Sequence, residues 1–203
     1  MYSIQKNSKL TYIIQLNNSS STIIKSIQLL SFLNTKLKNQ EQEIEIYTNN
    51  IQPIKPKQNH EMIYKLIQCL CEQQEHLQSF GYSFYTFHLE DIIMTDNNFF
   101  CLNDRNICKI TNKNTFSLFF PFSKNSFLSP ELLSIKQIPN YSIPISSFYY
   151  SLASLAYFSF FETKIKEDTF EENMDTIIHT PIYWFFKKTL IENPNNRFLF
   201  LIT

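Results

Sequence analysis

Residues 82–102 read YSFYTFHLEDIIMTDNNFFCL and follow directly on Gly81, the single glycine of a 203-residue chain. Within this stretch Ile92, Ile93 and Met94 on one side and residues 99–102 on the other flank the turn-like Thr95, Asp96, Asn97 and Asn98, which predicts a β-hairpin. Moving towards the N-terminus, residues 61–79 place Ile63, Leu66, Ile67, Leu70 and Leu77 on one stripe, with Glu72, Gln73, Gln74 and Glu75 between them. That spacing predicts an amphipathic helix. Residues 10–16 and 43–47 read as strands, 17–21 as a polar loop, 21–38 as one helix carrying Ile23, Ile27, Leu30, Leu33 and Leu37, and 49–60, with Pro53 and Pro56, as a linker.

Moving towards the C-terminus, residues 103–129 are polar and aromatic without a period and read as a long loop. Residues 146–161, SSFYYSLASLAYFSFF, are apolar almost all round. A helix of that kind is buried on every side, and this one is too short and too rich in serine for the roughly 20-residue span of a bilayer. The acidic stretch 162–175 is expected to be exposed, and 181–192 to be a helix with Pro181 in its first turn.

Composition narrows the chemistry. Phosphate-cradling loops need glycine, because the backbone must take positive φ and approach the anion closely. One glycine therefore leaves no Walker loop, dinucleotide fingerprint or glycine-rich nucleotide lid. Lys and Arg total 18 and Asp and Glu total 18, so no net field draws in nucleic acid or an anionic membrane. Cys69, Cys71, Cys101 and Cys108 lack the paired spacing of a zinc site and read as reduced, buried thiols, which points to the cytoplasm. Valine is missing, and alanine and arginine occur twice each. That is the composition of an AT-rich genome, such as that of a large DNA virus, a protist or a ciliate; in the viral case the compartment is the host cytoplasm.

Taken in order, a helix ending LQSFG, a hairpin after LEDIIM, a loop ending in Ser129, Pro130 and Glu131, a buried helix with YSLA, and NPNNR around Arg197 resemble the C-lobe of eukaryotic-type protein kinases, over residues 61–203. The resemblance implies an α+β, protein kinase-like fold with a shortened N-lobe in residues 1–60 (strand, helix, strand, linker) and a predominantly helical C-lobe in residues 61–203. In the family's catalytic loop, H-R-D-L-K-x-x-N, the first three positions fall on Phe84, Tyr85 and Thr86, the lysine on His88 and the asparagine on Asp91. A threonine hydroxyl is no proton acceptor near neutral pH, so the base is gone. The D-F-G element retains only Asp104. Asp91 and Asp104 either converge on a divalent cation or stand as exposed turn aspartates.

Ser129, Pro130 and Glu131 match the A-P-E element, and Arg197 matches the arginine that pairs with its glutamate. In the D-x-W-S-x-G element Ser151 and Leu152 match, Ala153 replaces the glycine, and Phe148 stands where an aspartate anchors the catalytic loop. Residues 22–25, TIIK, faintly resemble the strand bearing the nucleotide lysine, with Glu41 or Glu43 as partner, although the helical period makes Lys25 a solvated helix residue.

The resulting expectation is a catalytically inactive, pseudokinase-type scaffold or regulator that binds a protein and uses no cofactor, ATP, nucleic acid or membrane. The rivals are a degenerate kinase with weak nucleotide or metal binding, and a structural subunit of a larger assembly. Phe116, Phe119, Phe120 and Phe122, in a stretch with five phenylalanines between residues 116 and 127, are the candidate partner-binding residues.

Overall fold

The computed structural model describes residues 2–16, 21–38, 43–122, 124–125 and 127–199. In chain order the first elements are β1 (Tyr2–Ser8), β2 (Thr11–Leu16), α1 (Ser21–Gln28), β3 (Asn34–Lys38), β4 (Glu43–Tyr47), β5 (Ile51–Pro53), α2 (His60–Ser79), β6 (Tyr82–Phe84), β7 (Ile92–Thr95) and β8 (Asn98–Cys101). They are followed by β9 (Ile107–Asn112), β10 (Thr115–Leu118), α3 (Pro130–Leu133), β11 (Asn140–Pro144), α4 (Ser146–Phe161), α5 (Glu167–Asp175) and α6 (Pro181–Thr189).

The first sheet is antiparallel with strand order β1-β2-β4-β3. Register places Ile4, Ile14, Ile44 and Leu37 on one face, and α1 packs Ile23, Ile24 and Ile27 into the core. The single helix expected over residues 21–38 is therefore a helix and a strand. Asn34 and Thr35 are weak helix formers, and Leu37 gains its burial by pairing with Ile44 across the sheet. β1 is an additional strand beyond those read from the pattern. The loop expected at residues 17–21 lies largely outside the described residues.

The expected hairpin is present as β7 and β8, and the turn explains itself: Asp96 and Asn97 both have positive φ, 43° and 74°, which these two residue types tolerate best after glycine. The linker at residues 49–60 is not featureless, because β5 pairs with β7 to complete a three-stranded sheet. The Asp96 carboxylate accepts from the Asn49 N–H (2.9 Å) and the Thr48 hydroxyl (2.7 Å), which ties the first sheet to this hairpin.

Helix α2 is capped by Asn59, whose side chain accepts from the Met62 N–H, and the chain leaves it through Gly81 at φ 79°. Residues 103–129, expected to be a loop, contain β9 and β10, which join β6 and β11 in a sheet ordered β11-β10-β9-β6. Helix α4 is buried along most of its length, as its all-round apolarity requires. The acidic stretch 162–175 is mostly exposed, but it includes α5 and buries Met174.

One continuous apolar core runs from Ile14, Ile23 and Ile44 through α2, β7 and β8 to α4 and α6, so residues 1–60 and 61–203 share it. Each fully buried aliphatic or aromatic side chain in it contributes about 1.5 to 3 kcal/mol. Cys69, Cys71, Cys101 and Cys108 are free and buried, and burial pushes the Cys69 thiol up to about 11 and the Cys71 thiol to about 12. No helix among the described residues is long and apolar enough to cross a membrane.

Candidate functional site

The segment from Phe84 to Asp91, between β6 and β7, is the part of the chain that resembles a catalytic loop. Two buried glutamines of α2 hold it and the hairpin in place. Gln74 accepts from the Phe84 N–H (2.9 Å) and donates to the Ser83 hydroxyl (2.8 Å). Gln73 closes a two-way bond with the Cys101 backbone, 2.8 Å in each direction, and donates to Ser26 of α1 (3.2 Å). Both glutamines fall on the apolar stripe of α2, three and four residues after Leu70 and four and three before Leu77, so the helical period turns them inward while their residue type demands polar partners. Their pairing satisfies backbone groups that no strand partner reaches.

Phe84, at the histidine position, and Phe87 are fully buried against Phe148, with ring centroids 5.0 Å (Phe84–Phe87), 6.2 Å (Phe84–Phe148) and 6.1 Å (Phe87–Phe148) apart. An aromatic cluster thus stands where the resemblance implied a carboxylate anchor. The backbone bonds that Phe148 cannot make come from elsewhere. The Ser151 hydroxyl donates to the Tyr85 carbonyl (3.1 Å), and the Asn125 amide donates to the Phe87 carbonyl and to Thr86 Oγ1, each at 3.0 Å. Thr86, which the resemblance sets at the base position, is buried inside this network.

Tyr85, at the arginine position, lies against Phe116, Phe120 and Phe122, and its hydroxyl donates to the Arg105 carbonyl (2.7 Å). Burial raises its phenol well above the ordinary value, so it remains a donor. Of the candidate partner-binding residues, Phe116 is therefore core, since β10 turns its ring inward, and Phe122 is half-buried. Phe119 and Phe120 are exposed.

Asp91 is not an exposed turn residue: only 2 % of its surface is accessible. Its carboxylate accepts from Arg105 Nε (2.6 Å), Asn106 Nδ2 (2.9 Å) and Asn103 Nδ2 (3.2 Å). Arg105 also reaches Glu90 through Nη2 at 2.6 Å. Asp104, expected as the second carboxylate, opens a 3-10 turn (Asp104–Asn106) and is half-exposed. Arg105, Asn103 and Asn106 are site residues that motif matching missed, and the second arginine of an arginine-poor chain was the available signal.

The Tyr2 hydroxyl of β1 donates to the Glu90 carbonyl at 2.6 Å, so the first sheet closes over a hollow of about 500 Å³ lined by Tyr2, Glu90, Asp91, Asn103 and Arg105. Burial, and after it the nearby Asp91 carboxylate, raises the Tyr2 phenol to about 12. Burial and the Arg105 charge lower His88, favouring its neutral form. Burial works against the charge on Glu90, but hydrogen bonds, including that from Arg105, hold it below the usual carboxylate range.

The resemblance implies a magnesium ion, which takes oxygen ligands in near-octahedral array. Both Asp91 oxygens are engaged by N–H donors, and no group of three His, Cys, Asp or Glu side chains able to hold a metal occurs among the described residues. These residues do not fit that ion. Residues 22–25 lie in α1 with Lys25 exposed in its last turn, as their helical period implied, and not in a strand bearing a nucleotide lysine. Glu43 accepts from Gln15 (3.1 Å), and Glu41 lies outside the described residues.

Glu131, which sits in the first turn of α3, and Arg197 form a bidentate pair, Nη1–Oε1 2.6 Å and Nη2–Oε2 2.9 Å. The arginine side chain is fully buried, also donates to the Ile191 and Glu192 carbonyls, and lies over the Tyr150 ring at 5.0 Å. Ser147 donates to the same carboxylate (2.6 Å).

No family model matches the sequence, and no curated protein matches it. Among solved structures, the chain is similar to a rhoptry kinase from Toxoplasma gondii, with a TM-score of 0.56 at 12 % identity over 98 % of this chain and 71 % of that one. The likeness shows that this mixed α/β chain has a kinase-like fold.

Proposed function

We propose that the chain is a pseudokinase-type protein, with a reduced N-lobe and a kinase-like fold kept for binding a protein partner as a scaffold or regulator, and with no phosphate transfer of its own. The observation that carries this reading is the Arg105 guanidinium seated on Asp91. A cation built into the chain meets the charge that a metal ion would otherwise meet, and it offers no open position to a phosphate oxygen. Thr86 supports the reading from the other side of the chemistry: a buried hydroxyl engaged with Asn125 neither orients nor deprotonates an attacking alcohol. The proposed compartment is the cytoplasm, in keeping with four free thiols.

The test is incubation of the purified protein with γ-labelled ATP, magnesium and a mixture of protein substrates. All label is expected to stay on the nucleotide. Protein-dependent transfer that is lost in Asp91→Asn contradicts the reading.

A further inference from the structure

We infer that the hollow between α4, α5 and the stretch that follows α6 is a pocket for an arginine side chain of a partner protein. The inference rests on the scaffold reading and names one contact that the partner makes. The hollow, of about 300 Å³, is lined by Tyr150 of α4, Ile165 of the α4–α5 connection, Phe170 and Glu171 of α5, and Leu190 and Glu192 beyond α6. Tyr150, Ile165, Phe170 and Leu190 are partly buried, so the walls are aromatic and aliphatic, while both glutamates are exposed at the rim.

The chain's own cations show what this setting holds. Lys187 donates to both carboxylate oxygens of Glu171, at 2.9 Å each, and lies over the Phe170 ring at 5.5 Å. Arg197 sits on Glu131 and over the Tyr150 ring at 5.0 Å. Each cation thus rests on a carboxylate and on an aromatic face, which together suit a partly desolvated positive charge. With those two pairs closed, Glu192 is the remaining carboxylate at the hollow. Among the described residues its carboxylate oxygens take part in no hydrogen bond or ion pair, although its backbone carbonyl accepts from Arg197. Its charge is near enough to Tyr150 to disfavour the phenolate there. No lysine or arginine among the described residues lines the hollow, and Lys164 and Lys166, on either side of Ile165, are exposed and outside the lining. A carboxylate without a cation, at the rim of aromatic and aliphatic walls, complements a positive charge on an apolar stem and repels an anion. A guanidinium fits better than an ammonium, because its plane stacks on a ring while its fork binds a carboxylate.

The test follows the fluorescence anisotropy of labelled, end-blocked pentapeptides of sequence Ser-Leu-Xaa-Leu-Ser, with Arg, Lys, Gln or Glu at the centre, and uses ethylguanidinium as unlabelled competitor. The arginine peptide is expected to bind most tightly, about tenfold better than the glutamine peptide, and the glutamate peptide to bind most weakly. Its advantage over the glutamine peptide is expected to vanish in Glu192→Gln and to shrink in Phe170→Leu, which keeps an apolar wall but removes the ring. Glu192 is exposed, so the first variant keeps the test decisive if the second unfolds. Equal binding of the lysine or glutamine peptide, or an unchanged arginine preference in Glu192→Gln, overturns the inference. So does displacement of the arginine peptide by an equal concentration of ethylguanidinium, which would mark the pocket as one for a free small cation. Phosphate transfer measured on the same preparation separates the two failures: transfer sinks the scaffold reading, whereas lost arginine preference without transfer sinks only the pocket.

Discussion

Arg105 Nε lies 2.6 Å from Asp91 Oδ2, and the two residues are only 14 apart in sequence, separated by the β7–β8 hairpin. The hairpin exists to bring the ends of residues 92–101 together, so a salt bridge across its open end is a direct product of the turn at Asp96 and Asn97. The aspartate is buried while the Arg105 side chain is 43 % exposed, so the pair is one buried anion neutralised from the surface.

Replacing Arg105 with alanine leaves Asp91 with two amide donors and no opposite charge. The expected cost is about 1 to 3 kcal/mol, less than for a fully buried pair because water reaches the arginine's side. Chemical denaturation measures it. Wild-type stability in Arg105→Ala would mean that the asparagines suffice.

The Glu131–Arg197 pair lies deeper on its cationic side, and Arg197→Ala is expected to cost about 3 to 5 kcal/mol. Burial alone would raise the Glu131 carboxyl, but the bonds from Arg197 and Ser147 hold it below the ordinary value. A carboxyl lowered by folding contributes stability that is fully present above its unfolded value, near 4.3, and is lost as the pH falls through the folded value. Wild-type protein should therefore lose stability below about pH 4 more steeply than Glu131→Gln. Parallel acid profiles for the two proteins would refute this.

Phe148, which the resemblance sets where the family has an anchoring aspartate, packs its ring on Phe84 and Phe87. Phe148→Ala is expected to cost about 3 to 5 kcal/mol, and Phe148→Asp at least as much, because a carboxylate would be buried between two phenyl rings without a donor. Melting temperatures decide it. A Phe148→Asp variant as stable as wild type would show that donors in the loop are free to receive the acid.

What was legible in the sequence follows from periodicity and spacing. The stripe of α2, the uniform apolarity of α4 and the hairpin could be read because each is carried by residue type at fixed intervals, whereas the pairing of Glu131 with Arg197 was implied only by the resemblance to the kinase family. Three things could not. Leu30, Leu33 and Leu37 keep a helical period by coincidence, and only the pairing of Leu37 with Ile44 shows that the last of them is in a strand. Gln73 and Gln74 continue the stripe of α2 between Leu70 and Leu77, but the backbone groups of β6 and β8 that they satisfy are set by the fold and no local pattern reveals them. The site around Asp91 depends on Asn103, Arg105 and Asn106, whose common target is set by the path of the chain after the hairpin and by no motif.

The most direct test of the central claim, that the site around Asp91 is closed by the chain's own guanidinium and takes no metal-bound nucleotide, is the melting curve of the wild-type protein in millimolar ATP and magnesium. A ligand that binds only the folded state, present at a hundred times its dissociation constant, adds about 2.7 kcal/mol of stability, which is easily read as a shift in Tm. The account predicts that the curve stays in place. A saturable upward shift that requires magnesium and disappears in Asp91→Asn would contradict it.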